Sequence, residues 1–334
     1  MSEADEVATE READVADDRP SLAGRIAFLL LTACPLAVWI LATAIRLTVR
    51  DRIPYAATIF YATPPPLLVV LALFVGLRLR RLKWSRVARV VGIAGTIQFV
   101  AWSCVAFRGE QPEPPNDSLR IVFWNVSRGD FGYEDVAEQI SSFDADIVTM
   151  TESIGRGQAP DFWRSACPDY TPLPLSSGMT LLVRGDATLV EHDRAGPVCR
   201  WRVANVSVRG RSLRVAVVDF TSNPILFRQP GFDALGELFE RRGDRPLILA
   251  GDFNTPIDSA VDDQLRQHAT NAFEQSGEGF RETWPVFLPL MKLDQVWGNS
   301  HIRWHRCRHL WSLHSDHRPV VAEFTISSPP AVPE

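Results

Sequence analysis

Carboxylates and amides stand at the ends of short apolar runs throughout the second two-thirds of this chain. The run 121–124 is followed at once by Asn125, and 146–150 leads through Thr151 to Glu152. The run 246–250 opens into Gly251-Asp252-Phe253-Asn254, and 213–218 ends in Asp219, with Thr221, Ser222 and Asn223 beyond it. Leu293-Asp294-Gln295-Val296 and Ser315-Asp316-His317-Arg318-Pro319 follow, the second just before a final apolar run. If these ends share one edge of a sheet, their side chains meet where the backbone is already hydrogen-bonded. Hard oxygen donors of this kind suit Mg²⁺ or Mn²⁺ rather than a soft metal. Each residue also has a structural reading: an Asn after a strand forms turns, and Asp252, Asn254 and Asp316 can close Asx turns. The joint order of all of them on successive strand ends is what favours one shared site over a set of separate turns.

The elements that must position these groups are visible in the pattern. Apolar runs at 119–124, 146–150, 180–183, 213–218, 246–250 and 319–324 are nearly continuous in Val, Ile and Leu. Such runs predict strands buried on both faces. Segments 132–143 and 232–242 predict helices. Strands that alternate with helices in places and follow one another directly in others imply an α/β sandwich of layers around a mixed sheet over 118–326.

The chain before this region is different. Residues 1–20 are polar and acidic and predict a disordered tail. Three apolar stretches follow in 21–108, at about 25–47, 55–77 and 90–107, each near the 20 or so residues that cross a bilayer. Pro64, Pro65 and Pro66 interrupt the second, which predicts a kinked span or a re-entrant hairpin. The segment 109–117 is a short polar linker. Arg78, Arg80, Arg81, Lys83, Arg86 and Arg89 crowd the loop between the second and third stretches, against Arg46, Arg50 and Arg52 in the first loop and Arg108 after the third. The positive-inside rule then predicts a multi-pass cell-membrane protein with its basic loop cytoplasmic. With three spans the C-terminal domain is extracytoplasmic, and if the Pro-rich segment does not cross, the domain moves to the cytoplasmic side. The spans carry no internal charge, which favours an anchor over a transport unit.

Trp-Asn125, Glu152, Gly-Asp252-Phe-Asn254, Leu-Asp294-Gln-Val and Ser-Asp316-His317-Arg-Pro, in this order, resemble the endonuclease/exonuclease/phosphatase superfamily. That family includes pancreatic-type deoxyribonucleases, abasic-site endonucleases, neutral sphingomyelinases and inositol-polyphosphate phosphatases. The resemblance implies a four-layer α/β/β/α sandwich, two packed mixed sheets flanked by helices. It also implies hydrolysis of a phosphodiester or phosphomonoester with Mg²⁺ (or Mn²⁺). On the family's pattern Glu152 is the principal metal ligand, with Asn125 beside it and Asp316 a second metal-site or structural carboxylate. Asp252 orients and deprotonates the attacking water, and Asn254 bonds phosphate or metal-bound water. His317 contacts the phosphoryl oxygens and Asp294 holds its imidazole. One position departs: where many members carry a Thr-His pair this chain reads Thr221-Ser222-Asn223-Pro224, which leaves Asn223 as a phosphate donor and no local acid for the leaving group.

The partners implied are a phosphate ester (nucleic acid, or a lipid or inositol-phosphate head group) and membrane lipid around the N-terminal helices; no protein partner is predictable. Residues 118–334 carry 22 basic and 28 acidic side chains, a balance that disfavours long polyanions. The alternative function, motivated by the missing histidine, is a catalytically weak or inactive domain acting as a membrane-bound binding module. Among five cysteines, Cys167 and Cys199 have the option of pairing in an oxidising compartment. His192, His268, His301, His305, His309 and His314 sit in no metal-binding frame. Trp163, Trp201, Trp284 and Trp297 are expected in the core, with a cleft-lining place also open to Trp297.

Overall fold

The computed structural model describes residues 21–154 and 159–327, so the acidic tail and 328–334 lie outside it. Four helices fill the apolar third: α1 Leu22–Leu47, α2 Pro54–Ala62, α3 Pro65–Arg81 and α4 Ser85–Ala106. Within α1, Leu29–Ala33 widens to a π turn. Pro35 directly follows; it lacks an N–H and its ring crowds the carbonyl four residues back, which loosens the preceding turn. The proline triplet bends α2 against α3 by 72°. By length and composition α1 and α4 can each cross a bilayer, and the bent pair would be a third span.

Trp39 and Ala42 of α1, Leu68, Ala72, Val75 and Leu79 of α3, and Val91 of α4 form the core of this bundle. Gln98, the polar residue inside the third stretch, accepts from Trp39 Nε1 (3.1 Å) and donates to Thr43 Oγ1 (2.9 Å). Its polarity is spent between helices rather than exposed.

The remaining chain builds two sheets. In order come β1 Phe107–Arg108, β2 Leu119–Asn125, α5 Tyr133–Ser142, β3 Ile147–Thr151, α6 Ala159–Ala166, β4 Thr171–Pro174 and β5 Thr180–Val183. Then follow β6 Gly185–Ala195, β7 Cys199–Val208, β8 Arg211–Phe220, α7 Gln229–Arg242 and β9 Leu247–Asp252. The last strands are β10 Ala269–Asn271, β11 Gly277–Phe280, β12 Asp294–Asn299, β13 Ile302–His309 and β14 Val320–Ile326. One sheet has the order β1-β11-β13-β14-β2-β3-β5-β4, the other β10-β12-β9-β8-β7-β6. Both are mixed, with β2–β3 and β8–β9 parallel and most other pairs antiparallel.

Alternate residues of the central strands explain the layers. Ile121 and Phe123 of β2 meet Val215 and Val217 of β8 in the core between the sheets. Val122 and Trp124 face the other way, onto α5 and α6, while Ala216 and Val218 face α7. The order is therefore helix, sheet, sheet, helix. Cys167 lies in one outer layer and Cys199 in the other, and both are free thiols. The disulfide open to them on sequence is absent, because both sheets stand between them.

The apolar third is joined to the sandwich by more than a linker. β1, directly after α4, pairs with β11 and extends the eight-stranded sheet. Asp51, buried in the turn between α1 and α2, accepts from Ala260 N (2.7 Å), Tyr61 Oη (2.9 Å) and Ser259 Oγ. Arg46 bridges Asp258 (2.7 Å) while also capping the Phe60 and Thr63 carbonyls. In 109–117, Gln111, Glu113 and Asp117 bond Glu278, Arg306 and Arg211.

Removing the Asp51 carboxylate strands two hydroxyls and an amide in a dry interface. Asp51→Ala should cost about 3 kcal/mol of stability and Tyr61→Phe about 1 kcal/mol. Thermal unfolding of the full chain measures both, and an unchanged midpoint for Asp51→Ala would refute the clamp.

Candidate active site

The strand ends meet at one edge. Asp219 closes β8, Asp252 closes β9 and Asp294 opens the antiparallel β12, so the register sets Asp252 directly beside both of the others. Gly251 is required here: a Cβ would lie 2.2 Å from the Val218 carbonyl oxygen. From the other sheet Asn125 closes β2 and Glu152 follows β3. Glu152 (φ 50°) and Asn254 (φ 47°) are both left-handed, which turns the chain sharply as each strand ends. Asn tolerates that conformation, whereas for Glu it costs about 1–2 kcal/mol that the surrounding fold must hold.

Asp252 is 2 % exposed. Its Oδ1 accepts from Asn254 N (2.8 Å), and its Oδ2 from Asn254 Nδ2 (2.9 Å) and Asn125 Nδ2 (3.1 Å). Burial pushes this carboxyl up to about 7; the His317 charge opposes that rise, and Asp294 and Asp219 add to it. Asn254 Nδ2 also reaches the Phe220 carbonyl (2.9 Å), so β8 and β9 share its amide. Asn125 touches the Glu152 carboxylate at 3.4 Å.

His317 is 6 % exposed and fully buried Asp294 lies 2.9 Å from its Nδ1. Burial works against an imidazolium, yet Asp294, Asp252 and Asp316 raise its pKa to about 10. The surrounding motif positions this ring. Ser315 Oγ donates to Asn125 O (2.7 Å) and accepts from His317 N (3.0 Å), while Trp124 Nε1 donates to His317 O (2.9 Å). Arg318, buried, donates to the Phe280, Glu282 and His309 carbonyls and lies 4.2 Å over the Trp311 ring.

Asp316 is spent differently. Ser127 Oγ donates to Oδ1 and Trp284 Nε1 to Oδ2 (3.0 Å). Burial opposes its charge, but His317 and these two donors hold it below the usual carboxylate range. Asn223 is exposed, and its Oδ1 accepts from Ile225 N (3.0 Å) in an Asx turn. The loop that carries it packs on the apolar third, where Thr58 bonds Pro224 O (3.2 Å) and Arg228 lies 4.3 Å over Tyr61.

Beside Glu152 and Asn254 opens a cleft of about 850 Å³, lined by Arg128, His192, Arg200, Arg202 and Asp219 among others. Arg128 pairs with Glu152 (3.1 Å) and Arg200 with Asp219 (2.8 Å), whose carboxyl burial raises. Sequence reasoning passed over these residues. Only Asp219 carried a signal, as one more carboxylate at a strand end; Ser127, Trp284 and the arginines reach the site through loops and a distant hairpin. Trp297 is core, with Nε1 donating to Gln295 (2.9 Å). The basic stretch of β13 is structural too, Arg306 pairing with Glu113 and Glu278.

The donor set fits a hard divalent cation. Glu152 offers a carboxylate only partly buried and open to the cleft, with the amide of Asn125 beside it. The buried cluster Asp252, Asp294 and His317 also has metal-like spacing, with ligand atoms within 4.8 Å of one another. There, however, the Nδ1 of His317 is already engaged by Asp294.

His317 has a folded pKa above its ordinary 6.5, so its charge contributes stability fully below pH 6.5 that is lost as pH rises through 10. Replacing Asp294 by Asn removes the largest of the charges that oppose burial, and the ring should then titrate at lower pH than in the parent chain and lose part of this contribution. Histidine NMR titration together with thermal midpoints across that interval tests this. A His317 resonance titrating at its ordinary value in the parent chain would refute it.

No curated protein matches the sequence. Solved structures do match the fold. An endonuclease/exonuclease/phosphatase family protein from Bacteroides thetaiotaomicron superposes with a TM-score of 0.53 at 16 % identity, covering 65 % of this chain and 100 % of that one. The mannosyl-6-phosphatase of Bacteroides thetaiotaomicron VPI-5482 gives 0.53 at 17 %, covering 63 % and 100 %. D. rerio TDP2 complexed with a single strand DNA product gives 0.50 at 16 %, covering 63 % and 100 %. At these identities the likeness is one of fold. The sequence profile of the Endonuclease/Exonuclease/phosphatase family matches residues 122–317, more than half of the chain, and the chain belongs to that family.

Proposed function

We propose that this chain is a membrane-anchored, divalent-metal-dependent phosphoesterase whose domain faces away from the cytoplasm. The observation that carries the catalytic part is the meeting of Asn125, Glu152, Asp252, Asn254, Asp294 and His317 at one edge of two packed sheets. Their strand and loop origins are unrelated in sequence, and a buried cluster so rich in charge has little value as packing.

Glu152 and Asn125 would hold Mg²⁺ or Mn²⁺, which when bound supplies positive charge to the phosphoryl oxygens. Asp316, with both oxygens already engaged, supports the site as a structural carboxylate. Asp252 takes the proton of the attacking water on a carboxylate oriented by three N–H donors. Asn254, its two amide N–H groups held by Asp252 and the Phe220 carbonyl, presents Oδ1 to accept from the attacking water and hold it in line. His317 stays charged against Asp294 and stabilises charge growing on the phosphoryl group. For the leaving group the cleft offers His192 and Asp219 in place of a histidine at 221–223. The substrate is a phosphate ester, either a lipid or inositol-phosphate head group or nucleic acid.

The anchor reading rests on α1 and α4, whose outward residues such as Leu30 and Ile93 leave large apolar side chains exposed along their length, as Val70 does on α3. Both helices end at the domain. The 22 residues of α4 span about 33 Å, so its basic start lies roughly a bilayer thickness from the sandwich. The positive-inside rule then sets the domain outside.

The full chain, purified in detergent with Mg²⁺ or Mn²⁺, should hydrolyse one member of a panel of DNA, RNA, phospholipids and inositol phosphates. Glu152→Gln, Asp252→Asn and His317→Gln should each lower turnover by about 10²-fold or more, and chelation should abolish it reversibly. No turnover across the panel would favour the binding-module alternative, and active Glu152 and Asp252 variants would sink the mechanism. A reporter fused after Glu334 should read extracytoplasmic; a cytoplasmic signal overturns the topology.

A further inference from the structure

A second cavity, about 410 Å³, lies between the helix ends of the apolar third and the sandwich, and none of its lining residues is shared with the active-site cleft. Six cations line it: Arg46, Arg50, Arg108, Arg266, Arg281 and Lys292. Three of them are matched. Arg46 pairs with Asp258 (2.7 Å), Arg266 with Glu274 (2.7 Å) and Asp263 (3.3 Å), and Arg281 with Glu282 (2.6 Å). These pairs use up every carboxylate in the lining.

The other three, Arg50, Arg108 and Lys292, make no direct ion pair among the described residues, although Lys292 feels the charges of Glu274 and Asp262 and lies 5.9 Å from the centre of the Phe273 ring. Lys292 is 1 % exposed and donates only to Asn271 Oδ1 (3.1 Å), while Asn271 Nδ2 has no partner. A buried ammonium with one of three N–H groups satisfied requires an anion or further acceptors. The cavity thus carries an excess of positive charge around a group that lacks acceptors.

Its location narrows the ligand. Arg46 and Arg50 mark the end of α1, Val105 and Arg108 the end of α4, and Phe60 the end of α2. Leu47 and Phe107, 80 % and 57 % exposed, carry the apolar surface of the helices up to this level. A ligand here meets cations with one end and helix surface with the other. Resting on the reading that these helices lie in a bilayer, we propose that the cavity binds the phosphate of an anionic phospholipid, whose acyl chains run down α1 and α4. Basic pockets between helices at the head-group level recognise lipids in this manner. The floor of the cavity includes Lys292 and Ile257, which flank Asp294 and Asn254 in sequence, so the bound lipid also braces the two segments that carry the site.

The test uses the full chain in nanodiscs of phosphatidylcholine, with or without phosphatidylglycerol. Native mass spectrometry and thermal unfolding provide the readouts. Phosphatidylglycerol should raise the midpoint and stay bound after release from the disc. Arg50→Gln/Arg108→Gln should retain it roughly tenfold more weakly, because two surface cations are removed. Arg86→Gln/Arg89→Gln, at the far end of α4, should retain it fully, and inorganic phosphate in phosphatidylcholine discs should shift nothing. Equal retention by the cavity variant, equal loss by both variants, or a matching shift with inorganic phosphate overturns the proposal. Failure of the anchor reading shows separately, as a chain that does not enter the nanodisc at all.

Discussion

Three carboxylates sit side by side on adjacent strands, Asp219 on β8, Asp252 on β9 and Asp294 on β12, and the rest of the site is arranged around their repulsion. Like charges paired across a sheet destabilise it, and burial makes the cost larger. Arg200 on β7 and Asn254 after β9 offset part of this from the same sheet, and the rest comes from the opposite one. His317, in the loop before β14, inserts against Asp294 and Asp252, and Asn125 at the end of β2 donates to Asp252. The contact that holds the charges is therefore also the contact that joins the polar edges of the two sheets. Below it the apolar core between the sheets does the bulk of the stabilising, and that core sets the strand ends level.

The apolar third is built into this arrangement. Asp51 and Arg46 grip the 258–260 loop, which begins four residues after Asn254, and Tyr61 and Thr58 pack on the loop after β8. Both segments, which run on from Asn254 and Ser222 of the cleft, thus have one side set by the two sheets and the other by helix ends. An anchor attached only through a flexible linker would leave these loops free; here strand β1 and a buried aspartate remove that freedom.

Much of this was readable in the chain itself. The six apolar runs all appear as strands. Of these, β2, β3, β8 and β9 run one or two residues past them, to Asn125, Thr151, Phe220 and Asp252, because these residues still complete backbone pairing at the site edge. The motif residues were legible as a pattern, but their physical reasons lie in contacts across the fold: Gly251 for close approach to β8, Ser315 as a tie to Asn125, Arg318 as a buried clamp on three carbonyls. The hairpin β6–β7 was missed, since its edge strand alternates exposed and partly buried residues and lacks a continuous apolar run. That hairpin brings His192, Arg200 and Arg202 to the cleft. Asn223 fits the sequence pattern for a phosphate donor, and in the fold its Oδ1 also closes a local turn, a geometry open to any Asn after a strand.

Sequence by itself determined the element types, the order of the polar groups on strand ends, the family, and three apolar stretches, because periodicity and motif spacing are local properties. Only the tertiary structure decided which ends share an edge, that Asp316 is tied by Ser127 and Trp284, and that Cys167 and Cys199 lie in opposite layers. It alone also decided that helix ends and sandwich enclose a basic cavity. These depend on contacts between segments far apart in the chain, and their energies arise from burial and charge pairing that exist only once both sheets and the helices have packed.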